Sequence, residues 1–365
     1  MIEIKLKEQG IISRLTDKTF NLPEALGEGF YTANYFLKSQ KIVKENLADN
    51  IVTMQWIQRR NHSMLCGIDE AIAIIHKFAI HPEQLVIEAL NDGDIIEENE
   101  PVLKVTGKYE NFGFLESVID GVLARRSSVA TNVMEVLEAA GSTPVFSMAD
   151  RQDDYLTQVG DGYATYVAGI DRVSTDAQGL WWGGKGMGTM PHALIQICDG
   201  DLIKASEVYL KTFPHQPITA LVDYHNDAIR DSLLIARHLG RKLNSVRVDT
   251  SKAMVDHYFD DKDTTGFDAH GVCKELIIAL RKALDEAGFS YVGITVSSSF
   301  NKEKIAEWTK EKVPVSMYGV GTAFVNNMTC GFTGDLVMLN GKPQAKEGRY
   351  NTPNPRLQKV PYPIY

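Results

Sequence analysis

Polar or small residues follow five short apolar runs in the chain, and these residue types suit a phosphorylated ligand. Arginine binds carboxylates and phosphates through paired hydrogen bonds, carboxylates hold Mg²⁺ or ribose hydroxyls, and exposed backbone N–H groups hold phosphate. The five groups are Ala149-Asp150-Arg151, Asp223-Tyr224-His225, Arg247-Val248-Asp249-Thr250, Ser297-Ser298-Ser299 and Gly319-Val320-Gly321-Thr322. On a parallel β/α scaffold these groups converge on one mouth, so the pattern predicts a common site.

Each group also has a simpler explanation. Asp223 and Asp249 are suited to capping helices or to structural ion pairs, and Arg151 to a surface pair with Asp153 or Asp154. A Gly-x-Gly-Thr turn is common, and a run of serines often begins a loop. The joint placement of all five groups at strand ends favours the functional interpretation more than any one group does.

A glycine-rich segment, residues 183–192, carries a histidine at its end. Its glycines permit a close backbone approach, but Lys185 is followed by Gly186, so the phosphate-loop pattern GxxxxGK[ST] is absent. We expect Thr189 to cap a helix with His192 in its first turn. A helix N-terminus favours neutral imidazole, whose free nitrogen can act as nucleophile or base. Spacing alone favours a histidine that only hydrogen-bonds at a helix start.

The segment 32–38 and the residue before it are rich in aromatic residues: Tyr31, Tyr35 and Phe36. We expect them to pack in the core or at an interface. The alternative is that one of them stacks on a flat aromatic ligand.

The five apolar runs predict the strands that position the candidate site. They are residues 143–148, 218–223, 245–250, 291–297 and 314–320. Helical segments are predicted at 225–240 and 271–288, with Gly240 and Gly288 ending them, and residues 301–312 lie between the last two runs. Strands that alternate with helices predict an α/β fold with a buried parallel sheet, either a barrel or an open sheet.

The two chain ends have a different pattern. Residues 67–80 have the apolar spacing of a helix, residues 83–107 that of short strands joined by turns, and the tail after about 335 that of a hairpin. We expect this tail to return to the N-terminal part of the fold.

Composition limits the class of protein. Lys and Arg number 38 against 47 Asp and Glu, a net charge of −9, which is atypical of nucleic-acid binding. The N-terminus has no signal-peptide core, and no stretch approaches the roughly 18 apolar residues of a membrane span. The four cysteines form no CxxC pair, which argues against a zinc site or disulfide scaffold. We therefore expect a cytoplasmic protein with neither nucleic-acid nor membrane partners.

Several blocks resemble the nicotinate phosphoribosyltransferase family, particularly its shorter, archaeal-type members. The specific combination is GTMPHAL (188–194) with VRVDTSK (246–252) and YGVGT (318–322). Further similar blocks, in the same order, are TANYFLK (32–38), LCGIDEAI (65–72), ENEPVLKVTG (98–107), ADRQ (149–152), LVDYHND (221–227) and VSSSF (296–300). The resemblance covers most of the chain.

The resemblance implies an irregular α/β barrel of the type II phosphoribosyltransferases, with a sandwich-like α/β domain formed by both chain ends. We expect residues 1–118 with 335–365 to form the sandwich-like domain, and residues 119–334 to form the barrel. It also implies a homodimer whose active sites are shared between subunits.

The resemblance further implies transfer of phosphoribosyl from phosphoribosyl pyrophosphate to nicotinate, in NAD salvage. ATP would be a co-substrate that phosphorylates His192, and Asp223 and Asp249 would serve the ribose and Mg²⁺. The other implied roles are nicotinate and phosphate binding by Arg151, Ser174 and Arg247, stacking by Tyr35 from the partner subunit, and 5′-phosphate binding by Ser297, Ser298, Ser299, Gly319, Gly321 and Thr322.

This sequence departs from the family pattern at several of these blocks. Ala33 replaces an aspartate, Lys38 a frequent arginine, and Asp150 the first arginine of a pair. Serines occupy 297–299, where the family turn is rich in glycine.

Three alternatives stay open at this point. A nicotinamide-specific relative needs a carboxylate near the ligand amide. The register of the resemblance puts Ser174 there rather than Asp176, and a shift of one or two residues would reverse this assignment. A non-catalytic, nucleotide-binding paralogue would fit the departures at 33 and 297–299. An unrelated barrel enzyme would bind a sugar phosphate but no pyridine. We find no histidine-arginine motif of the quinolinate-specific relatives.

Overall fold

The computed structural model describes residues 2–362. Its strands are β1 (Ile51–Ile57), β2 (Ser63–Met64), β3 (Val86–Ala89), β4 (Ile95–Ile96), β5 (Leu103–Lys108), β6 (Val145–Ser147), β7 (Ile218–Leu221), β8 (Leu243–Val248), β9 (Gly293–Val296), β10 (Met317–Val320), β11 (Thr333–Leu339), β12 (Lys342–Pro343) and β13 (Gln358–Val360). Its helices are α1 (Ile2–Glu8), α2 (Asp17–Phe20), α3 (Asn34–Asn46), α4 (Ile68–Phe78), α5 (Tyr109–Phe112), α6 (Glu116–Ala140), α7 (Gln158–Val167), α8 (His192–Ile197), α9 (Leu202–Thr212), α10 (Ala228–Leu239), α11 (Lys274–Glu286), α12 (Lys302–Lys310) and α13 (Thr322–Val325).

The five predicted apolar runs form one parallel sheet in the order β6-β10-β9-β8-β7. Two single-residue bridges extend it beyond β6, from Ser147 to Val173 and from Val173 to Gly186. From β6, the sheet continues to Val173 and Gly186 in one direction and to β10, β9, β8 and β7 in the other. Placed around a ring, these segments follow the order of the chain, as the strands of an α/β barrel do. In the described part of the chain no bridge joins Gly186 to β7, so the barrel is irregular, and the predicted fold class is confirmed.

Helices cover the parallel strands, whose side chains are buried. Val246, Val248, Ile294 and Val296 have no exposed surface. Helix α11 buries Leu276, Ile277, Leu280 and Leu284 on one face, as its apolar spacing predicts. Gly240 (φ 53°) follows α10 and Gly288 (φ 82°) lies just beyond α11, where left-handed backbone ends a helix at low cost.

An antiparallel sheet combines strands from both chain ends, in the order β12-β11-β1-β5-β3-β13. β11 pairs with β1 along its length, so the prediction that the tail returns to the N-terminal part is confirmed. Trp56 of β1 is fully buried in this layer. Helix α6 contacts β11 on one side and α7, α12 and α13 of the barrel on the other, and thereby connects the two layers. Across residues 2–362, every helix is too short or too polar to traverse a bilayer.

Candidate active site

The polar strand ends surround one cavity of about 670 Å³, a size typical of small-molecule sites. It lies at the C-terminal ends of the parallel strands. The residues that follow each strand lie at this same edge of the sheet. The predicted site residues that line it are Arg151, Ser174, His192, Arg247, Asp249, Ser297, Ser298, Ser299, Gly319, Gly321 and Thr322. Polar groups from separate strand ends thus share one cavity.

Asp223 is not among the residues that line the cavity, but it contacts His192, which is. His192 Nε2 lies 3.2 Å from Asp223 Oδ1; the histidine is half-exposed and the aspartate buried. Burial raises the pKa of Asp223, and the negative charge of Asp249 raises it further, while His192 opposes both effects. The two aspartates therefore form a carboxylate pair beside the imidazole.

Arg247 is the central cation of the cavity. Its Nη1 donates to Thr189 Oγ1 at 2.7 Å, and its Nη2 lies 3.5 Å from Asp249 Oδ2. Its Nε is buried and has no hydrogen-bond partner in the structure. Asp249 in turn accepts from Ser297 Oγ at 2.6 Å. These contacts hold Arg247 in place at the cavity wall, where its positive charge suits an anionic ligand.

The prediction that Thr189 caps a helix is wrong. Helix α8 begins at His192, its N-cap is Pro191, and no side chain caps it. Proline fixes the backbone before His192 and has no N–H to donate. The Thr189 hydroxyl serves instead as acceptor for Arg247, on a strand 58 residues later in the chain.

Two loops, at residues 297–299 and 319–322, contribute backbone to the lining of the cavity. Ser298 (φ 78°) and Ser299 (φ 60°) both have left-handed backbone, which is strained for residues other than glycine. At Gly321 a Cβ atom would lie 2.6 Å from Met148 O and 3.0 Å from Gln152 Nε2. Only glycine fits there, because the loop after β6 packs directly on this backbone.

Ser174 and Asp176 lie in different surroundings. Ser174 lines the cavity, and its hydroxyl donates to Ser147 O at 2.7 Å. Asp176 lies outside the lining, largely exposed, and accepts from Gly186 N at 2.9 Å. This backbone contact and Lys185 lower the pKa of Asp176.

Tyr35 is remote from the cavity within the single chain. It is 63% exposed and packs against Phe36, with ring centroids 4.2 Å apart. Phe36 is buried, as expected for a packing residue, whereas Tyr31 is exposed. Stacking of Tyr35 in a partner subunit's site stays a prediction.

Sequence reasoning missed two residues that bear on the cavity. Gln152 lines it, one position beyond the predicted strand-end group, and the ADRQ block was the available signal. Arg125, in the middle of α6, bonds to Asp153 and to Val325 O, in two segments that adjoin the cavity, but has no local motif around it.

Within residues 2–362, no group of three or more His, Cys, Asp or Glu side chains is arranged to hold a metal ion. Asp223 and Asp249 are only two carboxylates. Two are enough for Mg²⁺, which is often bound by one or two carboxylates together with the phosphates of a substrate.

Comparison with known sequences agrees with this arrangement. Residues 31–127 match the family model described as the N-terminal domain of quinolinate phosphoribosyl transferase. A nicotinate phosphoribosyltransferase of Mycobacterium tuberculosis is 24% identical over 272 residues, 72% of this chain and 56% of the relative. One of Bacillus subtilis is 22% identical over 244 residues, 65% of this chain and 45% of the relative. The chain thus spans about half the length of these curated relatives.

Solved structures share the fold. A nicotinate-nucleotide pyrophosphorylase from Pyrococcus furiosus superposes with a TM-score of 0.78 and 29% identity, over 93% of this chain and 85% of the other. Human nicotinic acid phosphoribosyltransferase gives a TM-score of 0.65 at 16% identity, over 86% and 75%. With the family model, the curated relatives and the solved structures taken together, the chain has the fold of the type II phosphoribosyltransferases and is similar in sequence to nicotinate phosphoribosyltransferases.

Proposed function

We propose that this chain transfers the phosphoribosyl group of phosphoribosyl pyrophosphate to nicotinate, giving nicotinate mononucleotide and pyrophosphate in NAD salvage. The observation that carries the proposal is the Arg247 guanidinium in a cavity that is also lined by Asp249 and by the backbone of two loops, with Asp223 beside it on His192. A pyridine carboxylate and a sugar phosphate require this combination.

Arg247 would bind the nicotinate carboxylate. A guanidinium forms strong, directional hydrogen bonds to a carboxylate, and the Arg247 side chain, only 15% exposed, is largely shielded from competing water. Thr189 and Asp249 hold its other nitrogens, so little side-chain entropy remains to be lost on binding.

The phosphoribosyl group would lie between the two loops and the aspartates. The backbone of Ser297–Ser299 and Gly319–Thr322 would bind the 5′-phosphate, and Arg151 the neighbouring phosphates. Asp223 and Asp249 would bind the ribose hydroxyls and Mg²⁺. The ion suits this pair because it offsets the repulsion between two nearby carboxylates, and when bound it stabilises the charge of the departing pyrophosphate.

The reaction requires positioning more than proton transfer. The bond from the sugar C1 to pyrophosphate breaks as the pyridine nitrogen uses its own lone pair to bond to C1. No base is needed for that step, so the contribution of the chain is to align the two reactants and stabilise charge.

ATP coupling through His192 is the finer part of the proposal. His192 Nε2 is beside Asp223 and the ring is half-exposed at the cavity, so ATP can reach it. Asp223 would orient the imidazole for phosphorylation, as a carboxylate does in other nucleophilic histidine pairs.

The surroundings of residues 174 and 176 favour nicotinate over nicotinamide. Recognition of an amide needs a carboxylate acceptor, but Asp176 is exposed and already accepts from Gly186 N. The cavity-lining residue is Ser174, which carries no charge to repel a nicotinate carboxylate.

We also propose a homodimer in which Tyr35 completes the site of the partner. The exposed aromatic residues Phe30, Tyr31 and Tyr35 are the surface that such an interface would cover. Sedimentation of the purified chain would give a dimer mass, and a monomer active at the same concentration would contradict the shared site.

A product assay tests the reaction. The purified chain is given phosphoribosyl pyrophosphate, Mg²⁺ and one of nicotinate, nicotinamide or quinolinate, with and without ATP. We expect nicotinate mononucleotide from nicotinate and a faster rate with ATP. Preference for another pyridine contradicts the substrate assignment, and substrate binding without any product would indicate a non-catalytic paralogue.

A further inference from the structure

Arg125 is a half-buried cation in the middle of α6, outside every motif of the sequence. Its side chain is 18% exposed, and it donates to both oxygens of Asp161 on α7, from Nε at 2.9 Å and from Nη2 at 2.7 Å. Asp161 is almost fully buried, so this paired contact is shielded from solvent. Two packed helices therefore fix the guanidinium in place.

The remaining donors of Arg125 extend to two segments that adjoin the cavity. Nη2 also donates to Asp153 Oδ2 at 2.8 Å, and Nη1 donates to Val325 O at 3.0 Å. Asp153 follows Arg151 by two positions, and Val325 ends the short helix that begins at Thr322. One guanidinium thus connects the loop of the cavity arginine to the loop of the candidate phosphate site.

These two loops are in direct contact at the cavity. A Cβ atom at Gly321 would lie 2.6 Å from Met148 O and 3.0 Å from Gln152 Nε2. Because the packing leaves no free space, a displacement of the loop after β6 changes the position of the Gly321 backbone.

We propose that Arg125 is a positioning residue, which holds the 149–154 loop against the 319–325 segment in the arrangement that phosphoribosyl pyrophosphate requires. The inference rests on the proposed transfer reaction for its kinetic effect. Its structural part, the restraint of the 149–154 loop, holds independently of any substrate.

The charge of Asp153 provides a selective way to weaken this contact. In Asp153→Asn the amide oxygen still accepts from Asp154 N, which now donates to Asp153 Oδ1 at 2.7 Å. The ion pair with Arg125 is lost, while the Arg125–Asp161 contact remains. Asp154→Asn is the matched control, because it makes the same charge change one position later, where the side chain caps Leu156 N and asparagine caps equally well.

The kinetic test compares these two variants in the full chain. We expect Asp153→Asn to raise the KM for phosphoribosyl pyrophosphate about tenfold, less than the roughly hundredfold that a displacement of 1 Å can cost. The KM for nicotinate and the melting temperature should stay within error, as should all parameters of Asp154→Asn. A KM for Asp153→Asn equal to that of Asp154→Asn overturns the kinetic role.

Arg125→Lys and the double variant Arg125→Lys/Asp153→Asn complete a cycle. Lysine keeps the charge but lacks the planar fork that contacts two loops at once. If both changes break the same contact, the double variant raises the logarithm of the KM for phosphoribosyl pyrophosphate by less than the sum of the two single variants. Full additivity contradicts a shared contact.

Hydrogen exchange separates this inference from the proposed reaction. Without substrate, the amides of residues 149–157 should exchange faster in Asp153→Asn than in wild type or Asp154→Asn. If the wild-type chain forms no product, the proposed reaction is refuted. Faster exchange in Asp153→Asn would still support the restraint of the 149–154 loop. Unchanged exchange and an unchanged KM in a chain that forms product refute the role of Arg125.

Discussion

At the scale of single residues, the account assigns substrate choice to Arg247. Its replacement by alanine removes hydrogen bonds to a carboxylate worth about 2 kcal/mol, or about thirtyfold in binding. We expect Arg247→Ala to raise the KM for nicotinate by that factor, measured by initial rates at saturating phosphoribosyl pyrophosphate. Arg237→Ala, on the exposed side of α10, serves as control. An unchanged KM for nicotinate would exclude Arg247 from this role.

His192 carries a separate residue-scale prediction. If ATP phosphorylates its ring, His192→Ala loses the stimulation of the rate by ATP but retains slow synthesis without ATP. The measurement is product formation with and without ATP, together with incorporation of acid-labile phosphate from labelled ATP. Stimulation that survives in the variant rules out the phosphohistidine.

At the scale of elements, the turn 297–299 has a backbone that its residue types disfavour. Two consecutive serines in left-handed conformation cost about 1 kcal/mol or more each, whereas glycine adds about 0.5–1 kcal/mol of lost chain entropy. Ser298→Gly/Ser299→Gly should therefore raise the free energy of unfolding by up to about 1 kcal/mol. A looser turn should at the same time raise the KM for phosphoribosyl pyrophosphate.

Urea unfolding and titration of phosphoribosyl pyrophosphate measure the two effects. Ser13→Gly is the control, since Ser13 is exposed and not among the residues with positive φ, so glycine there only lowers stability. A double-glycine variant that is less stable than wild type would show that the serines are unstrained or hold the turn by contacts of their own.

Local sequence pattern predicted the elements that are long and periodic. The apolar runs were found within a few residues, because continuous apolar strands next to amphipathic helices are characteristic of parallel sheets. The single-residue bridges at Val173 and Gly186 were missed because they are too short to have a period. The true partner of Thr189 was missed for another reason: Arg247 is 58 residues away, and the contact exists only in the folded chain.

The candidate site was predictable to the same extent. Residues at strand ends share an edge by topology alone, so the convergence of Arg151, Arg247 and Asp249 followed from pattern. Arg125 did not, because its role depends on contacts between a helix and two distant loops.

At the scale of the whole molecule, the contact of α6 with the antiparallel sheet contains two buried carboxyl groups. Burial, with the charges of Asp120 and Asp335, raises the pKa of Glu116 to about 8, and burial raises the pKa of Asp120 to about 7. In an unfolded chain the pKa of a carboxyl group is about 4. Between about pH 4 and the raised pKa values, the folded state therefore binds more protons than the unfolded state. Stability consequently falls as pH rises through this window and levels off above it.

Glu116→Gln should reduce this dependence, because the amide remains neutral at every pH in the window. Thermal unfolding from about pH 5 to 9 should show a shallower decline for Glu116→Gln than for wild type. Glu138→Gln, on the same helix but exposed, should follow wild type. A wild-type melting temperature that rises from about pH 5 to 8 contradicts the assignment.

We propose that the ends of separate strands form a single site for a pyridine nucleotide. A crystal structure of the chain with nicotinate mononucleotide tests this proposal. We expect the carboxylate of the base on Arg247 and the 5′-phosphate between Ser297–Ser299 and Gly319–Thr322. A nucleotide bound elsewhere, or one in this cavity with its base away from Arg247, would contradict it.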